Sequence, residues 1–419
     1  MKKYINREAE KQVLCLAKSF PVIMITGPRQ VGKTTMLSYA KEKMKKNINY
    51  VSLDNINDRM LANEDPELFL ETYKIPLIID EFQYAPKLLS YIKIIVDNKR
   101  LEELKNEEDS NGLFFLTGSQ SFLSMREVTE SLAGRVGILD LYGLSTREIN
   151  ENNLRLFSPN IEDIKRENNS NISMKKTFER IFRGSYPEVY KDSSILLENY
   201  FESYVKTYIE RDIRDLINIK DEVKFMKFMV SVAARTGQEL NLTEICNDAE
   251  ISVPTASDWL SILVNSGLVF LLEPYSTNII KRVVKRPKLY FMDTGLACYL
   301  TKYPNAEILE NSAYSGHIFE TYVIAEIIKS YANNGLNAKR YLYYYRDSNQ
   351  KEIDLIIEKD NKLYPVEIKK SKSPNKECIK NFDVLNASKK IVGNGIVFCM
   401  IDKIYPIDKN NYYVPISYI

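Results

Sequence analysis

Along residues 1–150, short apolar runs alternate with amphipathic stretches. Val22–Thr26, residues 50–53, Leu77–Asp80 and residues 113–117 are the apolar runs, and most end in polar or small residues. Runs of that length between helical stretches predict βαβ units and a parallel sheet. Ligands of such sheets collect at the carboxyl ends of the strands, where these polar residues fall. Residues 151–172 are polar and rich in Asn and Glu, and predict a linker or a mobile helix–loop. From 178 to about 237 apolar residues recur at three- and four-residue spacing, through Tyr204, Tyr208, Ile213 and Leu216, as in a helical lid or bundle.

Residues 241–275 have the pattern of a helix-turn-helix. A short helix over 242–246 and a turn over 249–252 lead to Ser252, a helix cap. The second helix runs through Pro254, Ala256, Trp259, Leu260 and Leu263 to a stop at Gly267. A strand over 268–272 then opens a wing, followed by the basic run 278–288 and a strand over 289–292. The last unit, 305–419, predicts an amphipathic helix over 315–331 and strands over 340–345, 352–358, 363–369 and 396–400.

Composition narrows the chemistry. Basic and acidic residues nearly cancel, 58 against 56, so any DNA contact must come from a local patch. The five cysteines stand far apart with no CxxC pair, which argues against a disulfide framework or a zinc cluster. His317 is the only histidine and reads as a structural helix residue, so histidine metal sites and Ser-His-Asp triads are nearly closed off. Chemistry here must run on carboxylates, lysine, arginine and a hard metal. No apolar stretch approaches ~20 residues and the first residues carry no apolar signal core, so no membrane span and a cytoplasmic location are expected.

Gly27, Pro28, Arg29, Gln30, Val31, Gly32, Lys33 and Thr34 match G-x-x-x-x-G-K-[ST] directly after an apolar strand, and Thr35 continues into a helix. The glycines let backbone N–H groups close around phosphate oxygens. Lys33 is placed for the β and γ phosphates, and Thr34 presents a hydroxyl to Mg2+. Some fifty residues on, a strand delivers Asp80 and Glu81 together. Asp80 is placed to hold the metal through water, and Glu81 to orient and deprotonate the attacking water. ATP and Mg2+ are therefore the expected cofactors. Ser119 closes the next strand as a candidate γ-phosphate sensor, and Arg135 is a candidate for stabilising the transferred phosphoryl from this or a neighbouring subunit. Action from a neighbour would require a homo-oligomer.

GPRQVGKTT, LIIDEFQYAP, LTGSQ and SLAGRV, followed by FRGSYPEVY and YIERDIRDL, resemble a family of prokaryotic AAA-type ATPases. In that family the ATPase is joined to a C-terminal domain long of unknown function. The resemblance covers nearly the whole chain, including NLTEICND and KLYFMDTGLACYL. It implies an AAA-like core, a winged-helix segment and a nuclease-like C-terminal fold, and it implies the sensor role for Ser119 and the finger role for Arg135.

Near the C-terminus an apolar strand is interrupted by Asp354, and Glu367 and Lys369 follow on one face of the next strand. An aspartate among Ile353, Leu355, Ile356 and Ile357 is costly to bury unless something positive partners it. Mg2+ on Asp354 and Glu367, with Lys369 positioning or activating water, would meet that cost and create a phosphodiester-cleaving site. The D…ExK order resembles the restriction-endonuclease-like fold, to which Glu320 on the preceding helix adds a third carboxylate, although Ile353 stands where many members have proline. Lys281, Arg282, Lys285, Arg286 and Lys288 are candidates for DNA phosphate contacts, or else form a solvated hairpin, and the helix-turn-helix itself either binds DNA or packs. The expected fold is multidomain α/β: an ATPase core at 1–150, a linker and helical lid at 151–237, a winged helix-turn-helix at 238–304, and the nuclease-like unit at 305–419. The expected function is a Mg2+-dependent ATPase coupled to a DNA-associated, nuclease-like unit, with a nucleotide-gated switch or scaffold as the alternative.

Overall fold

The computed structural model describes the chain except residues 1–3, 45–46, 107–108, 119–127, 129, 153, 168–170, 193, 209–221 and 277–285 and the side chains of residues 106 and 208. Ser119, Ile213, Leu216, Lys281, Arg282 and Lys285 therefore lie outside the described residues.

Five parallel strands form the N-terminal sheet: β1 (Val22–Thr26), β2 (Asn49–Ser52), β3 (Leu77–Asp80), β4 (Phe114–Thr117) and β5 (Val136–Asp140). Their spatial order is β2-β3-β4-β1-β5. The three central strands are fully buried, as their uninterrupted apolar runs require. β5 is the strand that the apolar pattern did not mark. It lies at the sheet edge and alternates between buried and exposed positions, so its signal is diluted. In register, Ser52 pairs with Asp80, Asp80 with Thr117, Ile25 with Thr117 and Thr26 with Asp140. One end of the sheet thus carries a row of hydroxyls and carboxylates.

β1 passes through a tight loop into α1 (Lys33–Lys43). The middle of the chain is helical, with helices at Met174–Arg183, Leu197–Tyr208 and Glu222–Ala234. Then come α2 (Leu242–Ala249) and α3 (Val253–Asn265), the latter capped by the Ser252 side chain as expected. A three-stranded antiparallel sheet follows, made of β6 (Gln238–Glu239), β7 (Val269–Leu272) and β8 (Lys288–Phe291) in the order β6-β8-β7.

The C-terminal unit sets the long helix α4 (Ser315–Asn333) against a mixed sheet. Its strands are β9 (Leu342–Arg346), β10 (Glu352–Lys359), β11 (Lys362–Ile368), β12 (Ile391–Val392), β13 (Gly395–Cys399), β14 (Tyr405–Pro406) and β15 (Asn411–Pro415). The hydrogen-bonded path runs β14-β15-β13-β11-β10-β9, with β12 beside β11. No helix among the described residues is long and apolar enough to cross a membrane.

Within 151–172, expected as a linker or a mobile helix–loop, the described residues include a short helix, Ile161–Lys165, and pack against the C-terminal unit. Phe157, Ile161 and Ile164 are buried in the same core as Phe319 and Ile327 of α4. Phe157 N–H donates to Ser330 Oγ (2.8 Å) and Ile161 N–H to Asn394 Oδ1 (3.1 Å), tying the strap to the C-terminal unit. The three apolar side chains sit four and three residues apart, enough to bury one face of an otherwise polar segment.

Candidate nucleotide site and carboxylate cluster

The loop between β1 and α1 is shaped by its glycines. Gly27 has φ +131°, and a Cβ there would lie 2.0 Å from the Leu141 carbonyl oxygen. Gly32, at φ +87°, caps α1 with no side-chain hydrogen bond to the helix. Lys33 Nζ donates to the carbonyls of Gly27 (3.0 Å) and Pro28 (2.8 Å), curling the ammonium over the loop.

Beneath the loop the expected metal pair is assembled. Thr34 Oγ1 donates to Asp80 at 3.0 and 3.1 Å, Thr117 Oγ1 donates to the same carboxylate, and Tyr50 OH donates at 3.1 Å. Burial and the Asp80 charge push the Tyr50 phenol up to about 12. A hydroxyl and a carboxylate from separate elements, meeting at one end of the sheet, form the oxygen donor set that Mg2+ takes. Glu81 follows in the left-handed region (φ 56°, ψ 44°), a conformation disfavoured for a residue with a Cβ and one that clusters at working sites. Its carboxylate accepts from Gln83 Nε2 at 2.5 Å. Gly118 leaves room for Gln83, whose Oε1 would lie 2.2 Å from a Cβ there.

Arg135 is elsewhere. It precedes β5 at the amino end of the sheet, opposite the loop, and chelates Asp97 through Nε (2.7 Å) and Nη2 (2.9 Å). One strand length separates it from the phosphate end, so it does not serve the loop of its own chain.

Residues without a sequence motif complete the site. A cavity of about 550 Å³ opens beside Gly32 and Thr35, walled by Tyr4, Ile5, Arg7, Tyr39, Pro187 and Lys191. Tyr4 stacks on Tyr39 with ring centroids 3.7 Å apart. Arg7 is buried and donates to Val31 O (2.7 Å), Tyr142 O (2.8 Å) and Glu148 Oε1 (3.0 Å). Glu148 also accepts from the backbone of Glu8 (2.9 Å) and Ser145 (2.8 Å) and from Asn333 of α4 (3.4 Å). The turn bearing Pro187 is clasped by buried Asp293, which accepts from Ser185 N–H (2.6 Å) and Oγ (2.7 Å). That contact joins two of the segments that carry the family resemblance, FRGSYPEVY and KLYFMDTGLACYL.

The C-terminal carboxylates meet ammonium groups. Asp354 accepts from Ile368 N–H at 2.8 Å and from Lys369 at 3.5 Å, and Lys369 also pairs with Glu367 at 2.7 Å. Lys288 Nζ, only 3% exposed, lies 3.0 Å from Glu320 and 2.6 Å from Glu352, while Tyr290 OH donates to Glu320 at 2.6 Å. Burial and the charge of Asp354 raise the Glu367 and Glu320 carboxyls. Among the described residues no three His, Cys, Asp or Glu gather as a metal-binding group. Of the expected metal ligands, Asp354 and Glu367 share Lys369, which with a backbone N–H supplies the positive partner that buried Asp354 requires, while Glu320 pairs with Lys288. Lys288, expected on a DNA-facing hairpin, is corrected, because it is buried with two carboxylates. Of that basic run Arg286 is described and exposed. Helix α3 carries no Lys or Arg, exposes Asp258, and buries Trp259 against Phe225 and Phe228.

The loop after a buried strand, the Thr34–Asp80 contact beneath it and the five-stranded parallel sheet have the arrangement of a P-loop nucleotide-binding domain. Residues 19–150 match the family model of an AAA domain. Residues 174–307 and 315–419 match two domains of unknown function (DUF8612 and DUF4143). An uncharacterized protein of Mycobacterium tuberculosis is 27% identical over 376 residues, covering 88% of this chain and 75% of that protein. One from Methanocaldococcus jannaschii is 25% identical over 373 residues, covering 86% and 76%. Among solved structures, the Walker-type ATPase PABY2304 of Pyrococcus abyssi aligns with TM-score 0.43 and 12% identity, covering 71% of this chain and 96% of that one. The Thermotoga maritima RuvB Holliday junction branch migration motor aligns with TM-score 0.31 and 18% identity, covering 64% and 89%.

Proposed function

We propose that the protein hydrolyses ATP with Mg2+ and works as a nucleotide-gated switch whose output is the C-terminal unit. The observation that carries this is the meeting of Thr34, Asp80 and Thr117 beneath the 27–34 loop. Backbone N–H groups and Lys33 hold the phosphates, and Thr34 and Asp80 hold the metal, which neutralises phosphate charge when bound. Glu81 takes the proton of the attacking water, and Ser119, two residues after β4 in the sequence, senses the γ-phosphate. Tyr4, Ile5 and Tyr39 receive the nucleoside in the adjoining cavity. Arg135 acts on a neighbouring subunit if it acts on phosphate at all, which requires assembly of the chain.

The route to the output is helix α4. Arg7 links the loop to Glu148, and Glu148 links to Asn333 at one end of the helix. The segment after β5 grips α4 further along, through Thr146 with Glu326 (2.7 Å) and Leu144 with Lys329 (3.0 Å). The far end of α4 carries Glu320. A winged helix at 238–304 that packs, rather than reads DNA, suits an α3 without basic residues. The test is phosphate release from Mg-ATP: wild type turns over, Lys33→Ala and Glu81→Gln lose at least about 100-fold, and equal rates in all three overturn the reading.

A second reading, cleavage of DNA by a restriction-endonuclease-like unit at 305–419, is favoured by Lys369 lying within 3.5 Å of both Asp354 and Glu367 on neighbouring strands. Mg2+-dependent nicking of supercoiled DNA that is lost in Lys369→Ala supports it, and a wild type that never nicks removes it.

A further inference from the structure

The two faces of the N-terminal sheet are covered differently. Ile23, Ile25, Ile78 and Phe115 on one face belong to the core that continues through the helical middle of the chain into the C-terminal unit. Met24, Ile79 and Leu116 on the other face belong to a second core confined to residues 22–136, closed by the helices Ile56–Glu64, Pro66–Thr72 and Leu88–Asn106. The outer side of that helical layer is rich in apolar residues. Of the sixteen large apolar side chains exposed among the described residues, seven lie on these three helices. Ile56, 68% exposed, and Met60 share one face of the first helix, four residues apart, and Leu68 is exposed on the second. Tyr91, Ile94, Leu101 and Leu104 form a stripe along the third, and Leu104 is 83% exposed. Asp97, within that stripe, is neutralised by Arg135 at 2.7 Å. Single exposed apolar residues are ordinary, but a concentration of them marks an interaction surface.

We propose that this helical layer is a twofold docking surface for a second copy of the chain, in which the 54–72 segment of each protomer faces the Leu88–Asn106 helix of its partner. Charge decides the pairing. Asp54, Glu64, Asp65, Glu67 and Glu71 are exposed around the first apolar patch, while Arg59, the basic residue of that segment, is half-buried and donates to the Leu53 carbonyl at 2.7 Å. Lys87, Lys93 and Lys105 are exposed along the stripe, against one exposed carboxylate, Glu102. Lys93 adjoins Ile94 and Lys105 adjoins Leu104, just as Glu64 lies one turn from Met60 and Glu67 beside Leu68. On one chain the two patches cannot cover each other, because both helical segments already bury their opposite sides in the sheet core. Across a twofold axis an acidic-rimmed patch meets the partner's basic-rimmed stripe, and the contact is made twice. The third helix, 19 residues long, spans about 28 Å, and the layer is roughly two helix diameters across, a footprint on the order of 600 Å², which is what one partner gives to a small stable dimer. The pairing goes beyond the nucleotide reading and does not depend on it, since the surface includes no residue of the 27–34 loop or of the C-terminal unit.

The test is sedimentation velocity of the full chain, without nucleotide, at micromolar concentrations. Wild type is expected to dimerise, and Leu101→Asp to weaken dimerisation at least about tenfold. Glu64→Lys/Glu67→Lys and Lys93→Glu/Lys105→Glu alter exposed residues alone, and they carry the test if circular dichroism shows that Leu101→Asp does not fold. Each is expected to weaken self-association by about tenfold or more, because like charges then face each other. Mixed in equal amounts, the two charge variants are expected to regain a dimer, since each then meets opposite charge at both contacts. A wild type that stays monomeric, an assembly larger than a dimer, or a dimer that these substitutions leave undisturbed overturns the proposal. Charge variants that do not associate when mixed overturn it equally.

Discussion

Arg7 gives the sharpest energetic handle on the nucleotide site. Its side chain is 2% exposed and that of Glu148 is fully buried, so Arg7→Met strands a carboxylate in the interior. Two backbone N–H donors, from Glu8 and Ser145, still reach Glu148, but the full positive charge is gone. Breaking a buried pair in this way costs about 3–5 kcal/mol. At about 2–4 °C per kcal/mol for a unit of this size, the thermal midpoint falls by roughly 6–20 °C. Nucleotide affinity falls as well, because the Val31 carbonyl in the loop loses its donor. Arg7→Met/Glu148→Gln removes the stranded charge and recovers at least about 1 kcal/mol of the loss, so the two substitutions are not additive. The assay is urea and thermal unfolding of the wild type, both single variants and the double. A loss within about 0.5 kcal/mol for Arg7→Met, as for a surface residue, refutes the buried pair, and so does a double variant no more stable than Arg7→Met.

Gly27→Ala puts a Cβ 2.0 Å from the Leu141 carbonyl at a φ of +131°, and is expected to abolish the rise in thermal midpoint on adding Mg-ATP; an undiminished rise contradicts the close approach of loop and β5. Arg135→Ala is expected to leave phosphate release by the monomeric chain unchanged, whereas a monomer loss on the order of 10³-fold, the scale of an arginine finger, contradicts its placement at the far end of the sheet. Burial, followed by the Asp354 charge, pushes the Glu367 carboxyl up to about 8 from an ordinary 4.5. A folded-state value above the unfolded one means that its stabilising contribution is full below about 4.5 and is lost as pH rises through about 8. The midpoint of wild type is thus expected to carry a decline across that window that Glu367→Gln lacks, and identical pH profiles contradict the shift.

The sequence carried the nucleotide site because its determinants are local. Gly27, Gly32, Lys33 and Thr34 act through one loop, and the strand ends bring Asp80 to it by sheet register alone. The apolar runs marked four of the five N-terminal strands to within a residue or so, and missed β5, whose edge position halves its apolar signal. Residues 151–172 looked like a linker or a mobile helix–loop because polar residues outnumber those that bury, yet 157, 161 and 164 had helical spacing. Arg7 was invisible: its role depends on Tyr142 and Glu148, more than 130 residues away, and a charged residue near the N-terminus normally reads as solvated. Lys288 failed in the same way inside a basic run, where composition cannot tell a buried ammonium from an exposed cation such as Arg286. The D…ExK spacing was legible, and Lys369 of that motif pairs with Asp354 and Glu367, but the partner of Glu320 is Lys288 from another unit, which spacing does not show.

The central claim, that the 27–34 loop with Asp80 binds ATP, is tested most directly by calorimetric titration of Mg-ATP into the full chain and into Lys33→Ala. A single saturable site per chain in wild type, weakened at least about 100-fold in the variant, is the predicted result. No binding by wild type, or equal binding by both, contradicts it.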